Sequence, residues 1–413
     1  MAACNRVSVG DVVMNIGPGI FRTKLPIGFK AGGINCGVRK YRPDLGVIVS
    51  EVPCTTTAVY TQNVMKGAPL KYCEKLLPST TIKAIITNSG QANAATGQQG
   101  EVNNQLMADS LANQLDCHSH QVLTASTGVI GEQLAIDKIQ SSMAELANNV
   151  TDIAEKFATA IMTTDLVPKT VQEQVTLSQG TVTITGVCKG SGMIHPNMAT
   201  MLGYLLTDAT LTIDQSQKMI KKVCDNSFNM ISVDGDTSTN DCVFLMSNGM
   251  SECALLSEED EAIFLQALQD VAILLAKSIA SDGEGASKLI EVNVKGALEE
   301  SLLKKIARDI TLSPLVKTAI NGESPNWGRI VAKIGSSVVD CDELLQCDVS
   351  IQGMKLFSQG ELVIGASSEC LKEKMACDTV VIDVELAEPL NTVTAWGCDL
   401  SQKYVQINAD YLS

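Results

Sequence analysis

The sequence is poor in aromatic residues and in histidine. Aromatic side chains make up 4% of the 413 residues, and there are only three histidines. A core with so few rings must be built from aliphatic side chains, which the hydrophobic content of 45% supplies. Cys117-His118-Ser119-His120 is a weak candidate for a zinc site, because structural zinc needs ligands from more than one element. A histidine-based catalytic triad is equally weakly supported.

The chain also lacks a positive net charge, paired cysteines and long apolar runs. Its net charge of −15 argues against nucleic acid and anionic membrane surfaces as partners, since both bind basic patches. No uninterrupted apolar run approaches 18 residues, and the first residues show no apolar signal segment, which predicts neither a membrane span nor secretion. The 14 cysteines are scattered without a Cys-x-x-Cys pair, as is typical of reduced thiols. These features predict a cytoplasmic protein.

The length exceeds that of one ordinary core and predicts two or three domains. Strand and helix patterns alternate in the N-terminal third of the chain, and a domain boundary is predicted near Lys288. Residues 46–52 and 56–62 have the pattern of two strands, and 134–149 and 151–162 that of two helices. A long helix is predicted over 257–281, with a capping box beginning at Ser257.

The segment 189–202 interrupts this alternation near the middle of the chain. It follows a predicted hairpin over 175–187, with Gly180 at the turn, and precedes an apolar run over 201–206. The segment contains glycines, a proline and a lone lysine together with methionine and isoleucine. A linker would be polar, so this pattern predicts a buried irregular loop that must satisfy its own backbone groups.

Thr200 is the candidate nucleophile of this loop. A threonine hydroxyl needs a neighbouring base, and an N-terminal threonine can use its own α-amine, whose ordinary pKa is roughly 7.7–8. An internal threonine gains that amine only if the preceding bond, here Ala199–Thr200, is cut. From the spacing alone, a core strand entered through a Gly/Pro turn remains the simpler interpretation.

Several other segments combine polar residues with turns. Thr127 and Gly128 follow a predicted strand, and successive N–H groups there can face one oxyanion, although from the residues alone an ordinary strand-end turn is the simpler interpretation. Lys189 can offer a point charge to a carboxylate, or be a solvated surface lysine. The glycine-rich stretch 283–288 lacks P-loop spacing, but Glu284 between two glycines can approach a ligand closely.

The segment 189–202 resembles the self-cleavage motif of the ornithine acetyltransferase family, the glutamate N-acetyltransferases of arginine biosynthesis. Further segments resemble family motifs in the same order, from 28–33 to the C-terminus. The resemblance implies an α/β fold of two stacked sheets flanked by helices, with a smaller C-terminal α/β lobe. It also implies an α chain of 1–199 and a β chain of 200–413, in which 200–287 completes the main domain and 288–413 forms the lobe. The family assembles as an α2β2 tetramer.

The resemblance also assigns residues. The cut falls between Ala199 and Thr200, Thr200 is the nucleophile, and Thr127 with Gly128 holds the oxyanion. The residues that bind substrate are, by position, Thr163 (with Thr164 as the fallback), Lys189, Thr200, Glu284, Asn408 and Ser413. Ser413 stands where the family usually has threonine, which keeps the hydroxyl. The segment 321–329 resembles a further signature, expected to be architectural, with a helix starting at Trp327.

The implied reaction is a two-stage acetyl transfer. Thr200 takes the acetyl group from N2-acetylornithine, and glutamate then attacks the acetyl-enzyme. No metal or redox cofactor is required, and the sequence leaves open whether acetyl-CoA also serves as donor. Two alternatives remain: a self-processing amidohydrolase or aminopeptidase that passes the acyl group to water, and an uncut, non-catalytic assembly protein.

Overall fold

The computed structural model describes residues 6–9, 12–15, 23–195, 201–337, 346–363, 368–386 and 390–410. Strands and helices alternate along these residues, which confirms the α/β prediction. The strands are β1 (Arg6–Val9), β2 (Val12–Asn15), β3 (Phe29–Ile34), β4 (Leu45–Tyr60), β5 (Ser79–Asn88), β6 (Val122–Ser126), β7 (Lys169–Leu177), β8 (Gly180–Lys189), β9 (Leu202–Thr207), β10 (Ile231–Ser232), β11 (Cys242–Ser247), β12 (Leu289–Gly296), β13 (Asp348–Ile351), β14 (Met354–Ser358), β15 (Glu361–Leu362), β16 (Thr379–Glu385) and β17 (Asn391–Cys398). The helices are α1 (Ala68–Leu76), α2 (Gly97–Gln114), α3 (Ile136–Ser141), α4 (Met143–Asn148), α5 (Glu155–Ala160), α6 (Ile213–Asp225), α7 (Glu258–Ser281), α8 (Glu300–Leu312), α9 (Pro314–Asn321), α10 (Trp327–Ser337), α11 (Ser368–Met375) and α12 (Gln402–Asp410).

The strand β4 organises the larger sheet, whose order is β1-β2-β7-β8-β9-β11-β4-β5-β6, with β3 also paired to β4. Its first half pairs with β3 and β5, and its second half pairs with β11. The register with β5 shifts between Val49 and Cys54, and such irregularities bend a strand. The prediction of two separate strands here is therefore wrong: one bent strand of 16 residues serves both halves of the sheet.

The two halves of this sheet face each other across a shared core. Apolar residues of β3, β5 and β6 belong to the same buried cluster as those of β9 and β11. At its centre Tyr204 packs edge-on against Phe157, and its hydroxyl lies 2.7 Å from the Thr87 hydroxyl on the opposite half. The outer faces pack on α2, α3 and α4 on one side and on α6 and α7 on the other. This confirms two stacked sheets flanked by helices.

Helix α7 is the longest helix among the described residues, and it connects the two lobes. The Ser257 hydroxyl accepts the Asp260 N–H at 3.0 Å, but the predicted capping box is only half formed, because the Asp260 carboxylate accepts from Ser178 instead. By length and composition α7 could cross a membrane. It packs against β7, β8 and β17, however, and its apolar residues join the buried cluster of the protein, as in a core helix.

A seven-stranded sheet forms the C-terminal lobe, in the order β10-β17-β12-β16-β13-β14-β15. Its strands all lie from Leu289 onwards in the sequence, except β10, which belongs to the preceding segment and runs parallel to β17. The division near Lys288 stays a prediction. α10 starts at Trp327, as the architectural reading of 321–329 predicted, and its indole stacks on Phe357 with centroids 5.3 Å apart.

The helical stretch between β6 and β7 differs from the prediction. Instead of two helices over 134–149 and 151–162, it forms three helices of six residues each, α3, α4 and α5. Between α4 and α5, Ala31 and Thr151 exchange backbone hydrogen bonds of 2.8 and 2.9 Å, an antiparallel bridge to β3. Pairing with a strand takes this segment out of helical conformation, which local periodicity does not reveal.

Candidate active site

A pocket of about 220 Å³ opens where the ends of β6, β8, β9 and β11 meet α12. It brings together the predicted residues Thr127, Gly128, Thr163, Lys189, Glu284 and Asn408, and Thr164 as well. Ala199, Thr200 and Ser413 lie outside the described residues. Met201, which follows Thr200 directly, lines the same pocket.

The turn after β6 is built differently from the expected pair of free amides. The Thr127 N–H donates to the Asn88 carbonyl at 3.0 Å, so it is occupied within the turn. The Gly128 N–H donates to no described residue, and the Thr127 hydroxyl accepts a hydrogen bond from Lys189 Nζ at 3.1 Å. The donors that can face an oxyanion are therefore the Gly128 amide and the Thr127 hydroxyl.

Gly128 cannot be replaced without moving this turn. Its φ of +123° is unfavourable for other residues, and an added Cβ would lie 2.3 Å from the Gly90 carbonyl oxygen. Because a backbone atom causes the clash, a side-chain rotation cannot relieve it. A glycine is therefore required for the geometry of this pocket-lining turn.

Gly128→Ala is therefore expected to lower kcat about 10²–10³-fold, as the loss of one oxyanion donor does in other enzymes. The measurement is steady-state kinetics of the acetyl transfer that the family resemblance implies. Gly131→Ala is the matched control, because Gly131 also has a positive φ but an added Cβ there would meet no atom within 4 Å. Equal kcat values for the two variants would contradict this role of Gly128.

A buried ion network fixes the walls around Lys189. Lys169 Nζ lies 2.7 Å from the Asp165 carboxylate and 2.6 Å from that of Asp282, and all three side chains are almost fully buried. Asp165 also accepts the Thr163 N–H at 2.9 Å and the Gly190 N–H at 2.8 Å. The network thus joins three pocket segments that are far apart in the sequence.

Burial and neighbouring charges have opposite effects on the pKa values of the residues in this network. Burial alone would raise the pKa of Asp165, but Lys169 and Lys189 outweigh it and hold that pKa well below its usual range. Burial lowers the pKa of Lys189, and the neighbouring carboxylates Asp165 and Asp241 only partly offset the effect. Sequence reasoning missed the network. Its one local signal was the spacing of four residues between Asp165 and Lys169.

Glu284 and Asn408 connect the C-terminal helix to the pocket. The Asn408 amide donates to the Glu284 carboxylate at 2.7 Å, and the Glu284 N–H donates to the Ser191 carbonyl at 3.1 Å. A Cβ on Gly192 would lie 2.3 Å from the Glu284 carboxyl carbon, so a glycine is needed for this close approach. Helix α12 is thus held against the pocket by the contact between Asn408 and Glu284.

The polar turn 234–241 forms another wall of the pocket, which sequence reasoning did not connect to the site. The Asp234 carboxylate accepts the N–H groups of Met193 at 2.7 Å and Ile194 at 2.9 Å. The Asn240 amide donates to the Ser126 carbonyl at 2.9 Å. The density of Asp, Thr and Asn in this turn was the available signal for a site. The polar and charged pocket-lining residues that sequence reasoning missed are Asp234, Asp236, Ser238, Thr239, Asn240, Asp241 and Tyr404.

Thr163 and Thr164 both line the pocket, so the preference for Thr163 stays a prediction. The Thr163 carbonyl accepts from the Arg39 guanidinium at 3.2 Å, and its N–H is bound to Asp165. These contacts fix the backbone of the segment without selecting either hydroxyl.

His195, which belongs to the segment 189–202, contacts the C-terminal lobe. Its Nε2 lies 3.1 Å from the Arg308 guanidinium on α8, and the Thr237 hydroxyl donates to its carbonyl at 2.9 Å. Burial, helped by the Arg308 charge, lowers the pKa of His195 to about 4. The neutral ring is therefore favoured in the folded protein.

This gives a pH dependence of stability. An unfolded histidine takes up its proton near pH 6.5, whereas folded His195 stays neutral down to about pH 4. Its contribution to the free energy of unfolding is thus complete above about pH 6.5 and is lost as the pH falls towards 4. His195→Gln should flatten this part of the curve, measured by urea unfolding at a series of pH values. His120→Gln, at a site on the protein surface, is the control. Parallel curves for wild type and His195→Gln would refute the assignment.

Sequence comparisons with known proteins cover nearly the whole chain and identify the same family. The sequence model of the ArgJ family matches residues 30–413. The arginine biosynthesis bifunctional protein ArgJ of Oceanobacillus iheyensis is 46% identical over 389 residues, covering 94% of this chain and 95% of the relative. The protein of the same name from Thermotoga neapolitana is 42% identical over 393 residues, covering 94% and 99%. A crystal structure of ArgJ from Bacillus halodurans is 43% identical with a TM-score of 0.49, covering 51% of this chain and 100% of that chain.

Proposed function

The chain belongs to the ArgJ family, and on that premise we propose that it moves an acetyl group from N2-acetylornithine to glutamate through Thr200. It is an acyltransferase of arginine biosynthesis. Since its relatives carry the name bifunctional protein, we extend the proposal to acetyl-CoA as a second donor. The substrates are small molecules, and the reaction needs no metal or redox cofactor.

One observation carries the proposal: a buried lysine and a buried carboxylate share the pocket with the oxyanion donors. Lys189 can bind the carboxylate of an amino acid, and Glu284 with Asn408 offers a further polar contact. Met201 lines this pocket, and Thr200 is the residue directly before Met201 in the sequence.

The first stage is self-cleavage. The Thr200 hydroxyl attacks the Ala199 carbonyl, the Thr200 N–H becomes the leaving amine, and water hydrolyses the resulting ester. The products are a carboxylate on Ala199 and a free amine on Thr200. The Gly128 amide and the Thr127 hydroxyl would bind the oxyanion in this step.

The two chains would stay together after the cut. β8 precedes the cut and β9 follows it, and the two strands pair in register, with Lys189 opposite Leu202. β4 and β11 also pair across the two fragments. Because these strands share buried cores, separation would expose the interior of the main domain. We propose an α2β2 assembly located in the cytoplasm, with neither nucleic acid nor membrane as partner.

The second stage is the transfer itself. The neutral Thr200 amine takes the hydroxyl proton, the hydroxyl oxygen attacks the acetyl carbonyl, and ornithine leaves with that proton. The amine of glutamate then attacks the acetyl-threonine ester and regenerates the hydroxyl. Thr163, Lys189, Glu284, Asn408 and Ser413 would hold the amino acid in both half-reactions.

The test is intact-mass spectrometry of the wild-type protein under denaturing conditions. We expect two chains that meet between residues 199 and 200, and an acetyl group on the second chain after incubation with N2-acetylornithine. Peptide mapping should place it on Thr200, and glutamate should remove it as N-acetylglutamate. Free acetate released independently of glutamate would instead identify an amidohydrolase. Labelling by acetyl-CoA alone tests the second donor.

A further inference from the structure

Asp241 is a buried carboxyl in the pocket that the proposed reaction does not use. It stands directly before β11, is 4% exposed, and lines the pocket. Its Oδ2 is buried and has no hydrogen-bond partner among the residues that the structure describes. A buried carboxyl oxygen without a partner is unfavourable, so it calls for a donor that arrives from elsewhere.

The other acids that line this part of the pocket already have donors. Glu284 accepts from Asn408, and Asp234 accepts from the amides of Met193 and Ile194. Lys189 Nζ is engaged with the Thr127 hydroxyl. Asp241 differs from these acids because its buried Oδ2 has no hydrogen-bond partner among the described residues, although Ser238 interacts with the carboxyl group.

Backbone contacts on both sides fix the position of Asp241. Its carbonyl accepts the Thr61 N–H at 2.9 Å, and the N–H of the next residue, Cys242, donates to the Met201 carbonyl at 3.0 Å. β9 and β11 are parallel, with Cys242 in register with Leu202. Asp241 thus lies beside Met201 at the pocket end of both strands. Under the proposed function, self-cleavage leaves an amine on the residue before Met201, and the amino-acid substrate brings a second amine to the pocket that Asp241 and Met201 line.

We propose that Asp241 binds a protonated amine in the pocket, through a hydrogen bond from that amine to its Oδ2. This inference rests on the proposed function. The amine has two sources: the one that cleavage leaves on the residue before Met201, and the amine of the amino acid. An ammonium group supplies the donor that Oδ2 lacks, and it adds a positive charge beside the buried carboxylate. Asp241 is thereby a positioning residue, because it orients an amine that must later react as the free base.

Asp241→Asn tests the first source, because it keeps the size of the side chain and removes the charge. The carboxylate favours the ammonium form and raises the pKa of an adjacent amine, so its loss should lower that pKa. Activity that needs the neutral amine rises with pH through this pKa. We expect the rising limb of kcat/KM in the cleaved enzyme to move about one unit towards lower pH. The other titratable groups facing this end of the pocket are unchanged in the comparison: Lys189, Asp234, Asp236, Cys242, Glu284 and Tyr404.

Asp208→Asn is the matched control. Asp208 directly follows β9 at the opposite end of that strand, is 1% exposed, and has a pKa that burial raises. It accepts amide hydrogens from Ile27 and Thr183, away from the pocket. Its replacement removes an equally buried carboxylate, so it should affect stability and leave the limb in place.

The second source is tested by calorimetric binding of ornithine and of 5-aminopentanoate, which lacks the α-amine. If Asp241 holds the α-amine of the amino acid, Asp241→Asn weakens ornithine binding about tenfold or more and leaves the analogue unchanged. A limb shift without this difference assigns Asp241 to the chain's own amine. A cut Asp241→Asn protein with neither effect overturns the inference. An uncut wild-type protein would instead refute the proposed function.

A measurement on unsubstituted Asp241 covers the case in which Asp241→Asn does not fold. Aspartate labelled with carbon-13 at the carboxyl group is titrated by NMR in the cut enzyme, with and without ornithine, and in uncut Thr200→Ala. One carboxyl with a raised midpoint in the uncut protein should titrate at lower pH once an amine is present. Unchanged midpoints in all three samples overturn the inference.

Discussion

Thr200→Ala is expected to remain a single chain and to lose acetyl transfer by at least about 10⁴-fold, as removal of a group from a hydrolytic triad does. The variant lacks the hydroxyl that attacks the Ala199 carbonyl, so no Thr200 amine is formed and no acetyl ester can accumulate. Intact mass and a coupled assay for N-acetylglutamate measure the two losses separately. Both should occur together, because one side chain serves both stages.

Thr200→Ser separates chemistry from folding in this experiment. It keeps a hydroxyl and should therefore be cut and acetylated, at lower rates. The uncut Thr200→Ala protein should unfold at a urea concentration close to that of the wild type, which shows that the fold is intact. Cleavage at the same bond in Thr200→Ala would eliminate Thr200 as the nucleophile of the first stage.

Asp165→Ala should destabilise the protein by about 3–5 kcal/mol, the usual cost of removing one partner from a buried ion pair. Lys169 would keep its ion pair with Asp282 but lose the one with Asp165 at 2.7 Å. The backbone N–H groups of Thr163 and Gly190 would lose their acceptor. Urea unfolding measures the loss. We also expect a higher KM, because the network holds the segments that carry Thr163 and Lys189.

Two variants calibrate that result. Asp165→Asn keeps an acceptor for the amides and should lose less. Lys30→Ala breaks the exposed pair with Glu51, whose side chains are each 48% exposed, and should cost no more than about 1 kcal/mol. If Asp165→Ala cost as little as Lys30→Ala, the network would not be holding the pocket together. The low pKa of Asp165 also predicts a pH dependence. The contribution of Asp165 to the free energy of unfolding is present above about pH 4 and is lost as the pH falls below that value.

The sequence by itself determined the features that depend on neighbouring residues. The long helix predicted over 257–281 is observed as α7, with Ser257 as its N-cap, and the hairpin around Gly180 is observed as β7 and β8. Periodicity and turn residues are local signals, so they survive folding unchanged. The motif at 189–202 likewise identified the family, because a long contiguous match needs no knowledge of the fold.

Only the tertiary structure decided which residues meet. Lys169 pairs with Asp282, 113 positions away, and Asn408 reaches Glu284 across 124 positions. No local pattern encodes such contacts, because they arise from the order of strands in a sheet and from helices packed on its faces. The same holds for Asp241. Its sequence neighbours indicate only a polar turn, whereas the pairing of β9 with β11 places Asp241 in the pocket and buries its carboxyl group. Desolvation then gives an ordinary aspartate its unusual chemistry, and burial is a property of the folded chain alone.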